Sequence, residues 1–237
     1  MNRYLYFIHH SSYSYVSAKS MLLFDYYGTS PILEILAEHI DKHLYIFCTH
    51  SHGDHYSRDV HTLFRDHPAG VSYIFHEEVR HAVPTEYQDE VIYLDTGDIK
   101  SIDALNIKAY GSTDLGGSFY IQDEDFQLFH AGDLNNWHWN EEASPKYVQI
   151  YEEQWHKELS ALKRDELTLN LLMFPTDLRL GKDYLKGLKE LMDVVPCDTL
   201  APMHMNGELN DLSELEAICE QNNTRLLFPQ PLVSRPL

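Results

Sequence analysis

The chain is poor in positive charge: 18 Lys and Arg face 37 Asp and Glu over 237 residues, a formal net charge of −19 at pH 7. Nucleic-acid binding relies on cationic side chains displacing condensed counterions, so this balance argues against a nucleic-acid partner. Cysteine is scarce as well. Cys48, Cys197 and Cys219 form an odd set without a Cys-x-x-Cys pair, which suits a reducing compartment better than a disulfide framework. No apolar run approaches the roughly 20 residues that span a bilayer. The opening segment MNRYLYFIHHSSYSYV lacks the regions of a signal peptide. The expectation is a cytoplasmic protein without a membrane partner. Gly/Ser linkers and low-complexity tracts are missing, and so is a Gly-x-Ser-x-Gly elbow, which leaves a serine hydrolase with little support.

What is present is a globular composition, with 43% hydrophobic and 12% aromatic residues. A chain of this length buries enough surface to need no covalent staple, and a single domain over residues 1–237 is expected. The 15 histidines are the informative excess, because neutral imidazole is a common ligand of transition metals.

Short β-rich runs alternate with amphipathic stretches. RYLYFI, SYSYV and MLLFDYY read as strands, and Ser30-Pro31 reads as the start of a helix over ILEILAEHIDKH. LYIFCT is apolar throughout, as a strand covered on both faces requires. SRDVHTLFRDH reads as a helix, VSYIF, VIYLD and ALNIKAY as strands, and SFYIQ with FQLFHA as a hairpin. A helix is expected around YEEQWHKELSALKRD, then the strand TLNLLMFP, the helix YLKGLKELMDVV, the strand DTLAPMH and the helix LSELEAICEQ. The pattern is α/β, with two halves of similar make-up.

The chemistry concentrates where strands end. His50, His52, Asp54 and His55 fall within six residues after LYIFCT; this mixed N/O donor set suits Zn²⁺, Mn²⁺ or Fe better than Ca²⁺ or Mg²⁺. FQLFHAGDLN puts Asp133 in a tight loop behind Gly132, and DTLAPMHM puts His204 just past a strand.

Taken in order, His50-x-His52-x-Asp54-His55, Gly132-Asp133 and His204 resemble the metallo-β-lactamase superfamily of metal-dependent hydrolases, over essentially the whole chain. The resemblance implies a four-layer αββα sandwich of that type. It also implies that His50 and His52 hold a first metal, Asp54 and His55 a second, that Asp133 bridges the two, and that His204 completes the second site. The third histidine of the first metal belongs in a stretch that here reads Gly111-Ser112-Thr113-Asp114-Leu115-Gly116-Gly117-Ser118. Asp114 could supply a carboxylate in its place, with Ser112 or a water as the alternative; its bland reading is a turn-closing Asx residue. One or two ions are implied, Zn²⁺ first, with Mn²⁺ or Fe as alternatives. With two ions, water acidified between them attacks a small-molecule ester, lactone, thioester, amide or phosphodiester, with Asp54 and Asp133 at the reacting centre.

Further candidates shape the pocket. His138 could donate a proton or reach the substrate, and Trp137, with Trp139, could wall the pocket or pack on an edge. Asp177 could orient a ligand histidine and Arg179 meet an anionic group, or the two could simply pair with each other. Asp25 and His9-His10-Ser11-Ser12 are weaker signals; Asp25 reads as a buried hydrogen-bond partner or a loop cap. His39, His43, His61, His67 and His81 read as solvated. The opposing reading is a catalytically silent relative that binds a metal or ligand.

Overall fold

The computed structural model describes residues 2–28, 32–205, 212–228, 230 and 233–237; the Ser30-Pro31 helix start lies outside them. The chain divides into two compact units, Met1–Asp95 with Pro229–Leu237, and Thr96–Phe228.

The first unit is built on β1 (Tyr4–His9), β2 (Ser12–Val16), β3 (Ser20–Phe24), β4 (His43–Cys48), β5 (Val71–His76) and β6 (Val91–Leu94), in that spatial order, with a C-terminal strand, Ser234–Pro236, beside β1. The β1, β2 and β3 pairings are antiparallel, and β3 to β6 pair in parallel. Parallel strands need a crossover between them. Helix α1 (Ile32–Glu38) provides it from β3 to β4, and α2 (Val60–Leu63) lies within the next crossover. Ile32, Ile35 and Leu36 of α1 and Val60 of α2 join Met21, Leu23, Leu44, Ile46 and Phe75 in one core cluster. The alternate positions Leu22, Phe24, Phe47 and Ile74 are also fully buried, so the strands read as continuous apolar runs rather than alternating ones.

The second unit repeats the plan. Its strands β7 (Ile99–Ile102), β8 (Leu105–Gly111), β9 (Gly117–Asp123), β10 (Phe126–His130), β11 (Leu171–Pro175), β12 (Thr199–Met203) and β13 (Arg225–Leu226) lie side by side in sequence order. Pairings from β7 to β10 are antiparallel and those from β10 to β13 parallel. The helices are α3 (Pro145–Arg164), α4 (Lys186–Met192) and α5 (Ser213–Gln221).

Differences from the sequence reading are local. The helix expected over 57–67 shrinks to four residues, because the chain turns at Phe64, whose ring is buried against Tyr26, and then meets Pro68. Helix α3 starts six residues before the expected stretch, at Ser144-Pro145, a start signal of the same kind as Ser30-Pro31. Strands β7, β13 and Ser234–Pro236 are short edge segments with exposed residues, too polar or too brief to show a period.

Four histidines are misread from sequence. His61 is not solvated but fully buried. Its ring stacks on Tyr87 (4.8 Å between centroids, 4° between planes), its Nε2 lies 3.2 Å from the Tyr56 hydroxyl, and Tyr73 packs 4.8 Å away. Three more are partly buried and bonded: His39 to the Tyr6 hydroxyl, His43 to Ala69 O and Ser72 Oγ, and His67 to Lys42 O. The four fail as solvated residues because the aromatic body of imidazole packs as readily as its nitrogens hydrate.

Burial pushes the His61 imidazole down to about 4 from an ordinary 6.5. The unfolded chain therefore takes up this proton first as pH falls, so the contribution of His61 to stability is intact above 6.5 and is lost as pH drops toward 4. Replacing His61 with Phe should flatten that window. In urea titrations the wild type should lose about 1–3 kcal/mol more than His61→Phe between pH 7 and pH 4.5; equal losses would contradict the assignment.

Candidate metal centre

The pairing directions decide which loops can carry a constellation. In a parallel sheet the carboxyl ends of neighbouring strands lie at one edge, where ligand sites of α/β folds gather. In the first unit, β3 runs out into Asp25 and its parallel neighbour β4 into Thr49-His50-Ser51-His52. Because β2 is antiparallel to β3, with Tyr13 opposite Phe24, the β1–β2 turn carrying His10 comes to the same edge. In the second unit, β10, β11 and β12 run in parallel into Asp133, Asp177 and His204. The turn between β8 and β9, with Asp114, lies at that edge too, since Phe119 pairs with His130.

Backbone strain marks the same places. His10, Asp25 and His204 hold left-handed φ values of 47°, 44° and 52°. Such conformations cost of order 1–3 kcal/mol and persist where surrounding structure over-determines them; Asp and His are among the side chains that tolerate them best. Gly132, φ 55°, makes the tight bend that delivers Asp133.

Asp25 organises the first unit's donors. Its fully buried carboxylate accepts from Thr49 N (2.8 Å), Thr49 Oγ1 (2.7 Å) and His55 Nδ1 (2.8 Å). A hydroxyl has one proton to give, and Thr49 spends it on Asp25. Toward His50 Nδ1, 3.0 Å away, the hydroxyl therefore accepts. Both His50, through Thr49, and His55, directly on Asp25, thus carry the proton on Nδ1 and the lone pair on Nε2; for His55 this is the arrangement of a metal-ligating imidazole backed by a carboxylate. His50 Nε2 lies 3.0 Å from His52 Nδ1. Ser51, between them, is clamped by Glu78, which accepts from its N–H and its hydroxyl, both at 2.8 Å. Asp54 faces His10, 3.3 Å from Oδ2 to Nε2, and this imidazole holds its carboxyl well below the usual carboxylate range. His10, Asp54 and His55 offer ligand atoms within 4.8 Å of one another.

The second unit repeats the device. Fully buried Asp177 accepts from His204 Nδ1 (3.0 Å) and from Arg179 N, Nε and Nη2 (2.9, 3.0 and 2.6 Å). The lone pair of His204 is thereby directed to Nε2, which lies 3.4 Å from Asp133 Oδ1. Trp137 donates from Nε1 to Asp133 O (2.7 Å) and sets its ring 5.5 Å from that of His204. Trp139 stacks on Trp137 and carries the Arg179 guanidinium over its face. The two readings of Asp177 and Arg179 coexist: Asp177 pairs with Arg179 and also orients His204.

His138 and Asp114 stand apart. His138 is buried; its Nδ1 accepts from Asn140 N (3.2 Å), so its Nε2 donates to Asp183 O (3.1 Å), and both nitrogens serve the loop. Asp114 is exposed, in a turn where its N–H meets Ser112 Oγ (3.3 Å), and it is not among the described residues that group as potential ligands. The next residue back, Thr113, ties this turn to Asn135 through O (2.6 Å) and N (3.0 Å). Thr49, Glu78 and His10 are the participants that motif spacing missed. The pairing of the β1–β2 hairpin with the strand ending at Asp25 is the signal that could have found His10.

No protein-family model matches the sequence, and no curated protein matches it. Solved structures do. A metallo hydrolase from the hyperthermophilic archaeon Ignicoccus hospitalis is 14% identical, with a TM-score of 0.71 over 100% of this chain and 99% of the other. The metallo-β-lactamase fold protein YhfI from Bacillus subtilis is 11% identical, with a TM-score of 0.66 over 100% and 99%. CmlA, a diiron β-hydroxylase from Streptomyces venezuelae, is 12% identical, with a TM-score of 0.63 over 99% of this chain and 54% of that one. The chain therefore has the metallo-β-lactamase fold, the α/β class its sequence implies. Among the described residues, no helix is long and apolar enough to cross a membrane.

The tautomers are open to direct measurement. Two-bond ¹H–¹⁵N spectra of metal-free protein at pH 7.5 should show His50, His55 and His204 protonated on Nδ1. Asp25→Asn should lose that pattern at His55 and lower metal affinity about 10–100-fold; Nε2 protonation in the wild type would refute the scheme.

Proposed function

We propose that this protein is a metal-dependent hydrolase of small molecules, with His50, His52, Asp54, His55, Asp133 and His204 as its metal ligands. The observation that carries the reading is the pair of histidine–carboxylate couples, His55 on Asp25 and His204 on Asp177, each with its carboxylate wholly buried. A carboxylate behind Nδ1 fixes the ring and raises its basicity toward a cation at Nε2. The fold likeness to a protein named as a metallo hydrolase supports the same reading. The donors fit a borderline cation, Zn²⁺ first and Mn²⁺ or Fe next, because imidazole and carboxylate are mixed.

A bound transition-metal ion supplies water acidified to near neutrality and a Lewis acid for the oxygen that gains charge. The chain does the rest. Asp25 and Asp177 hold the ligand rings in one orientation. Glu78 fixes the backbone between His50 and His52. Asp54 stays ionised beside His10, and Asp133, anchored through its carbonyl by Trp137, keeps its carboxylate next to His204. Arg179, half exposed with its guanidinium over the Trp139 ring, suits an anionic group on the substrate. With a net charge of −19, the substrate is a small ester, lactone, thioester, amide or phosphodiester rather than a nucleic acid.

One observation favours a second reading, a relative that holds a metal or ligand without turnover. The place of a third histidine for the first metal carries Asp114, which is exposed. Elemental analysis separates the two: the hydrolase reading expects close to two ions per chain and turnover on an ester, lactone or phosphodiester panel. Asp133→Ala should abolish that turnover and release at least one ion. Asp114→Ala should lower metal content if Asp114 substitutes for the histidine, and unchanged content removes it from the ligand set.

A further inference from the structure

We propose that His10 is a further protein ligand, beside Asp54 and His55, to one metal ion; the inference rests on the metal-dependent reading above and extends it. His10 is the tip of the β1–β2 hairpin, and three features bring it to Asp54 and His55. Its left-handed backbone, φ 47°, turns the chain between His9 and Ser11. The hairpin is pinned beside the end of β3 by Ser12, whose hydroxyl donates to Phe24 O (2.8 Å). His9, the preceding residue, is packed against Tyr27, 4.0 Å between ring centroids, and Tyr27 also meets the His10 ring edge-on.

The result is a side chain only 12% exposed, with Nε2 3.3 Å from Asp54 Oδ2 and its ring 5.5 Å from that of His55, nearly perpendicular to it. Ligand atoms of all three lie within 4.8 Å of one another, close enough that small side-chain shifts bring them to the separation of about 3.3–3.6 Å that a tetrahedral ion with ligand bonds of about 2.0–2.2 Å sets. A bare ion pair between His10 and Asp54 would explain one contact but not a strained residue aimed at an imidazole whose tautomer directs its own lone pair outward.

Two variants suit the left-handed position: His10→Asn, which keeps a polar turn residue, and His10→Gly, which opens space for a free imidazole. Metal affinity is read by competition with a chromophoric chelator, and coordination by the visible spectrum of the Co²⁺-loaded protein. Both variants should weaken one ion at least tenfold and change the Co²⁺ spectrum, with the melting temperature of the metal-free protein unchanged. Added imidazole should restore the spectrum in His10→Gly. If His10 merely neutralises Asp54, its loss frees that carboxylate and metal binding stays equal or tightens; either result overturns the assignment while the metal-dependent reading stands. A wild type that binds no metal overturns both.

Discussion

A carboxylate taken wholly out of water must receive its hydrogen bonds from the chain, and it keeps its charge only if they are supplied. Asp25 and Asp177 are both in this position, and much of the candidate site follows from how each is satisfied. Asp25 takes the Thr49 amide, the Thr49 hydroxyl and His55; Asp177 takes Arg179 three times over and His204. Removing such an acceptor strands several buried donors at once, so the geometry tolerates little drift. Orientation of the histidine rings is a by-product of electrostatic necessity.

The sheets make this economical. Each unit runs antiparallel strands into parallel ones, so the carboxyl ends of the parallel strands share an edge with the turns of the antiparallel part. A loop at that edge needs only a few residues to reach its neighbours. Rigid strand ends hold the first donors, and the left-handed turns at His10, Asp25, Gly132 and His204 come within one or two residues of a strand. Strain at such points is costly in each unit, and strands buried along their whole length, β2 and β3 in the first unit and β11 in the second, are what allow it to persist.

Much of this was legible in the sequence. The apolar run before His50, the spacing of four donors in six residues, the Gly-Asp bend and the late strand-end histidine are local patterns, and they gave the fold class and the candidate ligands. Asp25 could be read only as a buried partner or a cap, since its meaning depends on which strand lies next to β3. His10 was weaker still, because a His-His-Ser-Ser turn has no periodicity and gains significance through pairing register alone. The short edge strands escaped for the opposite reason: they bury too little to impose a pattern. Helix 57–67 was overextended because apolar spacing cannot foresee that Phe64 is more use in the core than in a further turn of helix.

Histidine count, the compositional feature that first suggested a metal, is by itself a blunt guide. His61 and His55 are equally buried side chains of one type with opposite chemistry. Around His61 are tyrosines and a phenylalanine; the Glu86 charge favours the protonated ring but burial outweighs it and drives its pKa down to about 4, and it behaves as one more aromatic in the core. Behind His55 stands the Asp25 carboxylate, which accepts the Nδ1 proton and leaves Nε2 as a basic donor for a cation. The distinguishing feature is not the imidazole or its burial but the charge on its far side. That charge comes from a residue 30 positions away in sequence, delivered by a neighbouring strand.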